Sequence, residues 1–266
     1  MTNVPDATIV LLALIASGMI GQFVRPMLRE RHLSRESIEA VQLVIGMLVT
    51  FAALVLGLLT ASVKTSFDTT DGYMRGLSAE IIRLDTELRE YGPDTEGARR
   101  LLRQYTIGVI NSTWTEEPPV PGGDVPLVRK RTTDVQFESS PLGDILDRME
   151  REIHALPLQD PYHLRVQAEC EARFQQLANA RWRLIEHVHA SLKTPFYVVL
   201  VFWLAVVFAN LGLSAPRNAL VYVTIGLGAL SIASVILMLR ELDSPFDGVI
   251  VISSEPMHDA LAHLSR

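Results

Sequence analysis

Four long apolar runs organise the chain, with polar sequence between them. Ala7–Val24, Val41–Val63, Phe196–Leu213 and Ala219–Leu239 contain no Asp, Glu, Lys, Arg or His. Each approaches the roughly 20 apolar residues needed to cross a hydrocarbon core of about 30 Å. Lipid cannot satisfy stray backbone N–H and C=O groups, so uncharged runs of this length predict membrane-spanning helices. The first two runs are joined by RPMLRERHLSRES, where Arg25, Arg29, Arg31 and Arg35 crowd together. The last two are separated by a turn that Gly212, Pro216 and Asn218 punctuate and Arg217 charges. Small residues recur every four positions at Ser17 and Gly21, at Ala53, Gly57 and Ala61, and at Ala229 and Ala233. That spacing stacks them on one helix face, where a neighbouring backbone can come close. Packing of spans within one subunit accounts for all three sets.

The pattern changes over Lys64–Thr194, where no segment is apolar for long enough to span. Leu77, Ile81, Leu84, Leu88 and Tyr91 recur at steps of three and four, predicting one buried helical stripe. No proline interrupts Val41–Tyr91, so this helix is expected to continue from the second span, with Gly72 and Gly76 as kink positions. Gly92-Pro93 ends it, and Asp94 or Thr95 is placed to cap the next helix, with its stripe at Leu101, Leu102, Tyr105 and Val109. The EEPPVPGGDVP stretch is too rich in Pro and Gly for a helix or strand interior and predicts a loop at about 115–127. Val128–Phe137 reads as a short extended piece. A helix starting near Pro141 buries Leu142, Ile145, Leu146, Met149 and Ile153, and another begins near Tyr162 with Cys170, Phe174, Leu177, Leu184 and Val188 on a near-heptad stripe. Ser253 or Ser254 caps a terminal helix with Met257, Leu261 and Leu264 on one side.

The resulting fold is all-α: an integral membrane protein with four transmembrane helices and a helical bundle or coiled hairpin between spans two and three. Its expected parts are a transmembrane pair over 1–63, a helical region over 64–194, a second pair over 195–240, and an acidic Pro/Gly corner with a terminal amphipathic helix over 241–266. Pairing of the long helices within the chain and pairing between subunits both fit the stripes.

Composition and charge narrow the function. Of 266 residues 48% are hydrophobic, which suits a chain part in membrane and part in water. The net charge of −6 and the lack of a basic run longer than Arg129-Lys130-Arg131 argue against nucleic acid as a partner. One cysteine, Cys170, permits no internal disulfide and sits on an apolar stripe as a core thiol would. The histidines form no ligand set, and no phosphate loop, nucleophile elbow or H-E-x-x-H motif is present, so an enzyme is not expected. Glu241, Asp243 and Asp247 leave the fourth span within seven residues, a candidate site for a hard cation such as Ca²⁺, with Pro245 and Gly248 shaping the loop. The alternative is that Asp243 or Ser244 caps a turn while the other charges meet water. No other cofactor is expected. The spans carry no ionisable residue of the kind that pumps use. Conduction would need several subunits and a hydrophobic constriction as gate. The positive-inside rule places the arginine-rich connector and the Arg217 turn in the cytoplasm and the helical region outside.

Four blocks resemble one family: LDTELREYGPDTEGARRLLR from Leu84, ARWRLI from Ala180, FWLAVVFANLGLSAPRN from Phe202, and ELDSPFDGVIVISSEPMHDAL from Glu241. They are similar to the bacterial bestrophin-like family of membrane proteins. That resemblance implies kinship with bestrophins, pentameric anion channels with two spans, a large helical insertion and two more spans, in the bacterial inner membrane. It implies a homo-oligomer, and a cytoplasmic helical part, opposite to the charge-based orientation. With the four-span order, the resemblance implies a pore wall on the second span around Phe51, Gly57 and Thr60, although the chain offers Phe51 alone where bestrophins line the pore neck with several aromatics. Their acidic calcium clasp has no clear counterpart beyond Glu241–Asp247. The other reading is a membrane-anchored scaffold or sensor whose helical region binds a protein partner.

Overall fold

The computed structural model describes residues 4–27, 35–122, 140–158, 160–189, 194–216 and 218–266, and among these it contains no strand. Eight α-helices follow in order: α1 Val4–Val24, α2 Arg35–Tyr91, α3 Glu96–Thr113, α4 Ser140–His154, α5 Pro161–His189, α6 Thr194–Ser214, α7 Ala219–Asp243 and α8 Glu255–Leu264. The expected extended piece at 128–137, the end of the loop at 123–127, most of the arginine-rich connector and Arg217 lie outside the described residues. Helices α1, α2, α6 and α7 each contain a stretch long and apolar enough to cross a membrane. The chain divides into two compact units, 1–67 with 191–251 and 68–190 with 252–266.

In the first unit α1 packs on both α6 and α7. Contact with α6 is closest where both helices lack side chains. A methyl group on Gly21 would overlap the Ala209 carbonyl oxygen, and one on Gly212 would overlap that of Gly18. Ser17 Oγ donates to the Ala205 carbonyl at 2.5 Å, and Arg25 donates to that of Ala215 at 2.6 Å. The Ser17/Gly21 repeat thus serves packing inside the subunit, and Ala229 and Ala233 of α7 are also buried. Around them Val10, Leu14, Ala52, Leu200, Leu204, Phe208 and Ile236 form the core of this unit. Asn218 opens α7, its side-chain oxygen accepting from the Val221 N–H at 2.9 Å.

The second unit is built on apolar stripes. Leu77, Ile81, Leu84, Leu88 and Tyr91 of α2 are buried, as are Leu101, Leu102, Tyr105 and Val109 of α3 and Leu142, Ile145, Leu146, Met149 and Ile153 of α4. Helix α3 packs on α4 and α8, and α4 packs on α5. The terminal helix therefore lies on this helical unit, with Met257, Ala260 and Leu264 inward. α2 ends at Gly92, whose φ of 116° is a conformation that only glycine adopts without strain. Thr95 stands at the N-cap of α3, but its hydroxyl does not cap that helix. It donates back to the Leu88 and Gly92 carbonyls at 2.6 and 2.7 Å, closing the end of α2. Of the two serines before α8, Ser253 Oγ accepts from the Glu255 N–H at 3.2 Å, whereas the Ser254 hydroxyl donates to Glu117 at 2.7 Å.

One buried charge joins three helices of this unit. The Asp85 carboxylate, fully out of solvent, accepts from Arg89 Nε at 2.6 Å and from Arg99 Nε at 2.9 Å. Arg89 also donates to the His263 carbonyl at 2.7 Å, so the cluster holds the last turn of α8 as well as α3. Nearby, the Trp114 indole N–H donates to the Ile252 carbonyl at 2.8 Å and fixes the start of the C-terminal segment. On α5, burial pushes the Cys170 thiol up to about 12, with the carboxylates of Glu87, Glu169 and Glu90 adding to it.

Three outcomes follow from this packing. Gly21→Val should destabilise the membrane unit by about 1–3 kcal/mol through overpacking, seen as a lower Tm in detergent. Gly226→Ala, which meets nothing within 4 Å, should not. Asp85→Ala removes the carboxylate shared by two partly buried guanidinium groups and should cost about 3 kcal/mol, with α8 released first in limited proteolysis. Cys170 should resist maleimide at pH 8 in the native protein and react fully once unfolded, because the thiolate is the reactive form.

Candidate functional site

Of the four candidate spans, the membrane part of α2 is the least covered. Only 6% of its apolar window is buried, against 33% for α1, 22% for α6 and 17% for α7. At 3.6 residues per turn its positions sort into three faces. Ala52, Val55, Leu56, Leu59 and Val63 turn towards the other helices of the unit. Leu43, Met47, Phe51, Leu54 and Leu58 form an exposed face of large apolar groups. Gln42, Gly46, Thr50, Ala53, Gly57, Thr60 and Lys64 form a third, also exposed, of small and polar groups.

This third face is chemically distinct. A methyl group on Gly46 or Gly57 would meet no atom within 4 Å. The Thr50 and Thr60 hydroxyls donate along the helix to the Gly46 and Leu56 carbonyls at 3.0 and 2.8 Å. Their donors are thus satisfied within the helix, while each oxygen can still accept a bond from water. Lys64 continues the stripe, its ammonium 5.6 Å from the centre of the Phe67 ring, and the exposed Asp68 follows one turn on. Of the three wall residues expected from the sequence, Gly57 and Thr60 share this stripe. Phe51 does not: nine residues from Thr60 is about two and a half turns, so the two face opposite ways. Gln42, Gly46, Thr50 and Lys64 stand on the same face, at steps of three and four that are legible in the sequence.

The acidic corner after α7 is closed on itself. Glu241, 6% exposed, accepts from the Val249 backbone N–H at 2.6 Å. Gly248 takes φ 115°, and a methyl group there would overlap the Glu241 carboxylate. The Asp247 N–H donates to the Ser244 carbonyl at 3.2 Å, making the turn at Pro245. Arg240 stacks on Tyr197, 4.4 Å from the ring centre. Among the described residues no group of three His, Cys, Asp or Glu side chains is placed to hold a metal ion. Glu241, Asp243 and Asp247 are therefore not brought together as a ligand set: Glu241 turns its carboxylate to the backbone of the corner.

Two other groupings involve histidine. Ser254 and His258 both bond Glu117, at 2.7 and 3.4 Å, and neither hydrogen bond links the serine to the histidine as a nucleophile and base would require. His187 lies edge-on to Tyr73 with ring centres 5.4 Å apart.

Comparison with known proteins agrees with this architecture. The chain resembles, over 99% of its length, a crystal structure of a bacterial bestrophin homolog from Klebsiella pneumoniae carrying a tryptophan-to-alanine mutation, at TM-score 0.69 and 15% identity, covering 97% of that chain. An isoleucine-to-threonine variant of the Klebsiella homolog aligns at TM-score 0.67 and 14% identity over 98% of both chains. The same homolog solved by Zn-SAD phasing aligns at 0.65 and 15% identity, over 97% of this chain and 96% of the other. At such identity these matches establish the fold. Curated proteins give no sequence match. The family model for the bestrophin-like domain, however, covers residues 12–257, and the chain belongs to the bestrophin-like family.

Proposed function

We propose that the protein is one subunit of an oligomeric anion channel in the bacterial inner membrane, with α2 as the pore wall. The observation that carries this reading is the uncovered small and polar stripe of α2. Lipid gains nothing from glycine, threonine and glutamine, whereas water in a shared pathway can bond the threonine and glutamine groups. A single subunit leaves this stripe open, so the wall needs further copies around an axis. The anion preference rests on kinship with the bestrophin-like family, since on this face the charge of Lys64 is met by the exposed carboxylate of Asp68 one turn on. Family membership supports the same reading. The face bearing Phe51, Leu54 and Leu58 then meets lipid or a neighbouring copy.

Purified protein in lipid vesicles should release chloride, and Gly57→Trp should cut the rate by more than tenfold by filling the wall. Cysteines placed one at a time at Gly57 and Thr60 should react with water-soluble thiol reagents, and those at Leu54 and Leu58 should not. The reverse pattern would move the wall to the face of Phe51 as a hydrophobic constriction. Vesicles without any anion flux, across voltage and Ca²⁺ conditions, would remove the channel reading.

A further inference from the structure

Among the described residues the acidic corner after α7 gathers no metal-ligand set. Its backbone presents apolar side chains instead. Eight residues beyond Glu241 the chain has folded back towards the last turn of α7, where the Val249 N–H donates to the Glu241 carboxylate at 2.6 Å. Gly248 makes that return possible, because its φ of 115° and its closeness to the carboxylate both exclude a side chain. Ile250 then turns inward and packs on Val63, Leu239 and Leu242. Its two neighbours do not: Val249 is 89% exposed and Val251 44%. From Gly248 to Ile252 no side chain is polar.

What this segment touches fixes its depth. Val63 and Leu239 are the last residues of two uncharged runs, and Lys64 and Arg240 come directly after them. The Arg240 guanidinium lies over the ring of Tyr197, 4.4 Å from its centre, and Tyr197 is the second residue of the α6 run. Basic and tyrosine side chains gather where hydrocarbon gives way to headgroups. Three spans thus reach the bilayer boundary at one level, and Glu241 and Ile250 hold the segment at that level. Ile250 packs on Leu239, a full turn inside the end of α7, so the segment lies along the flank of the helices and not beyond their ends. Val235 and Met238, deeper on α7, are also exposed, and apolar surface continues from the corner into the span.

We propose that Val249–Val251 is a membrane anchor whose ligand is lipid at the boundary between headgroups and acyl chains. Contact there takes the two exposed valines out of water, and the strength of such contact scales with the apolar area buried. A non-helical segment can enter this zone only if its backbone groups find partners within the protein. Glu241 supplies one, accepting the Val249 N–H that lipid could not. The carboxylate therefore positions the anchor. This inference rests on the four spans and is independent of the channel reading.

The test uses the full chain in phosphatidylcholine vesicles, with the buried Cys170 in place. A nitroxide is attached through Val249→Cys or, in a second variant, through Val251→Cys. Oxygen, which concentrates in lipid, should relax either label severalfold more than a water-soluble nickel chelate. The reverse order would overturn the proposal, because the segment would then stand in water. Labels that neither reagent reaches would also overturn it, showing that another copy of the chain covers the segment. Glu241→Ala should raise access of the nickel chelate to the label at position 249. Glu241→Gln, which keeps an oxygen acceptor, should not, and equal access in the two variants would overturn the role given to Glu241. Without labels, Val249→Asp should lower the Tm in vesicles and Val249→Leu should leave it unchanged. An unchanged Tm for Val249→Asp would count against lipid contact, since a charge on a water-facing position costs nothing.

Discussion

Where α1 crosses α6, the Gly18 and Gly21 backbone lies directly against Ala209 and Gly212, with no space for a methyl group on Gly21 or Gly212. Lipid tails are as apolar as leucine, so helices in a bilayer gain little from hiding side chains from water. Close backbone approach replaces that force with dense dispersion contact and lets polar atoms reach across, as Ser17 and Arg25 do. Because α1 meets both α6 and α7, this crossing sets the core of the membrane unit. It also leaves α2 with one covered face and two open ones, and the functional reading grows from that vacancy.

The helical unit is held by different physics. In water its stripes are buried by the hydrophobic effect, and direction comes from a few polar locks. Asp85 is the most consequential, since one carboxylate orients groups on α2, α3 and, through Arg89, α8. Trp114 performs a similar task for the segment that begins at Ile252. Together they turn a short amphipathic helix at the C-terminus into a packed element of the bundle. Thr95 shows how such locks shift from their expected place: its hydroxyl is nearer the open carbonyls of α2 than the open amides of α3.

The fold match and the chemistry of α2 contribute separately to function. Similarity at 14–15% identity carries the backbone arrangement and nothing of the side chains that an ion would meet. Those side chains must be read from this chain, and on the wall we propose they form a small, threonine-bearing stripe. The acidic corner, by contrast, loses its appeal as a ligand set once Glu241 is seen bonded to the backbone it folds.

Much of this was legible in the residues. Four uncharged runs had to be helices because lipid cannot bond a bare backbone, and the heptad-like stripes announced the inner faces of α2 to α5. The continuity of α2 to Tyr91 followed from the absence of proline, and its end from Gly92-Pro93. Local periodicity specifies which side of a helix is apolar, and that much needs no tertiary information. It does not specify which partner covers that side. Hence the small-residue repeats of α1 and α2 looked alike in sequence, yet Gly21 is packed against α6 and Gly57 is open. Likewise Phe51 was grouped with Gly57 and Thr60 by proximity along the chain, although the helix turns them apart. Only the tertiary structure decided which faces were already filled, because burial is a property of contacts between segments distant in sequence.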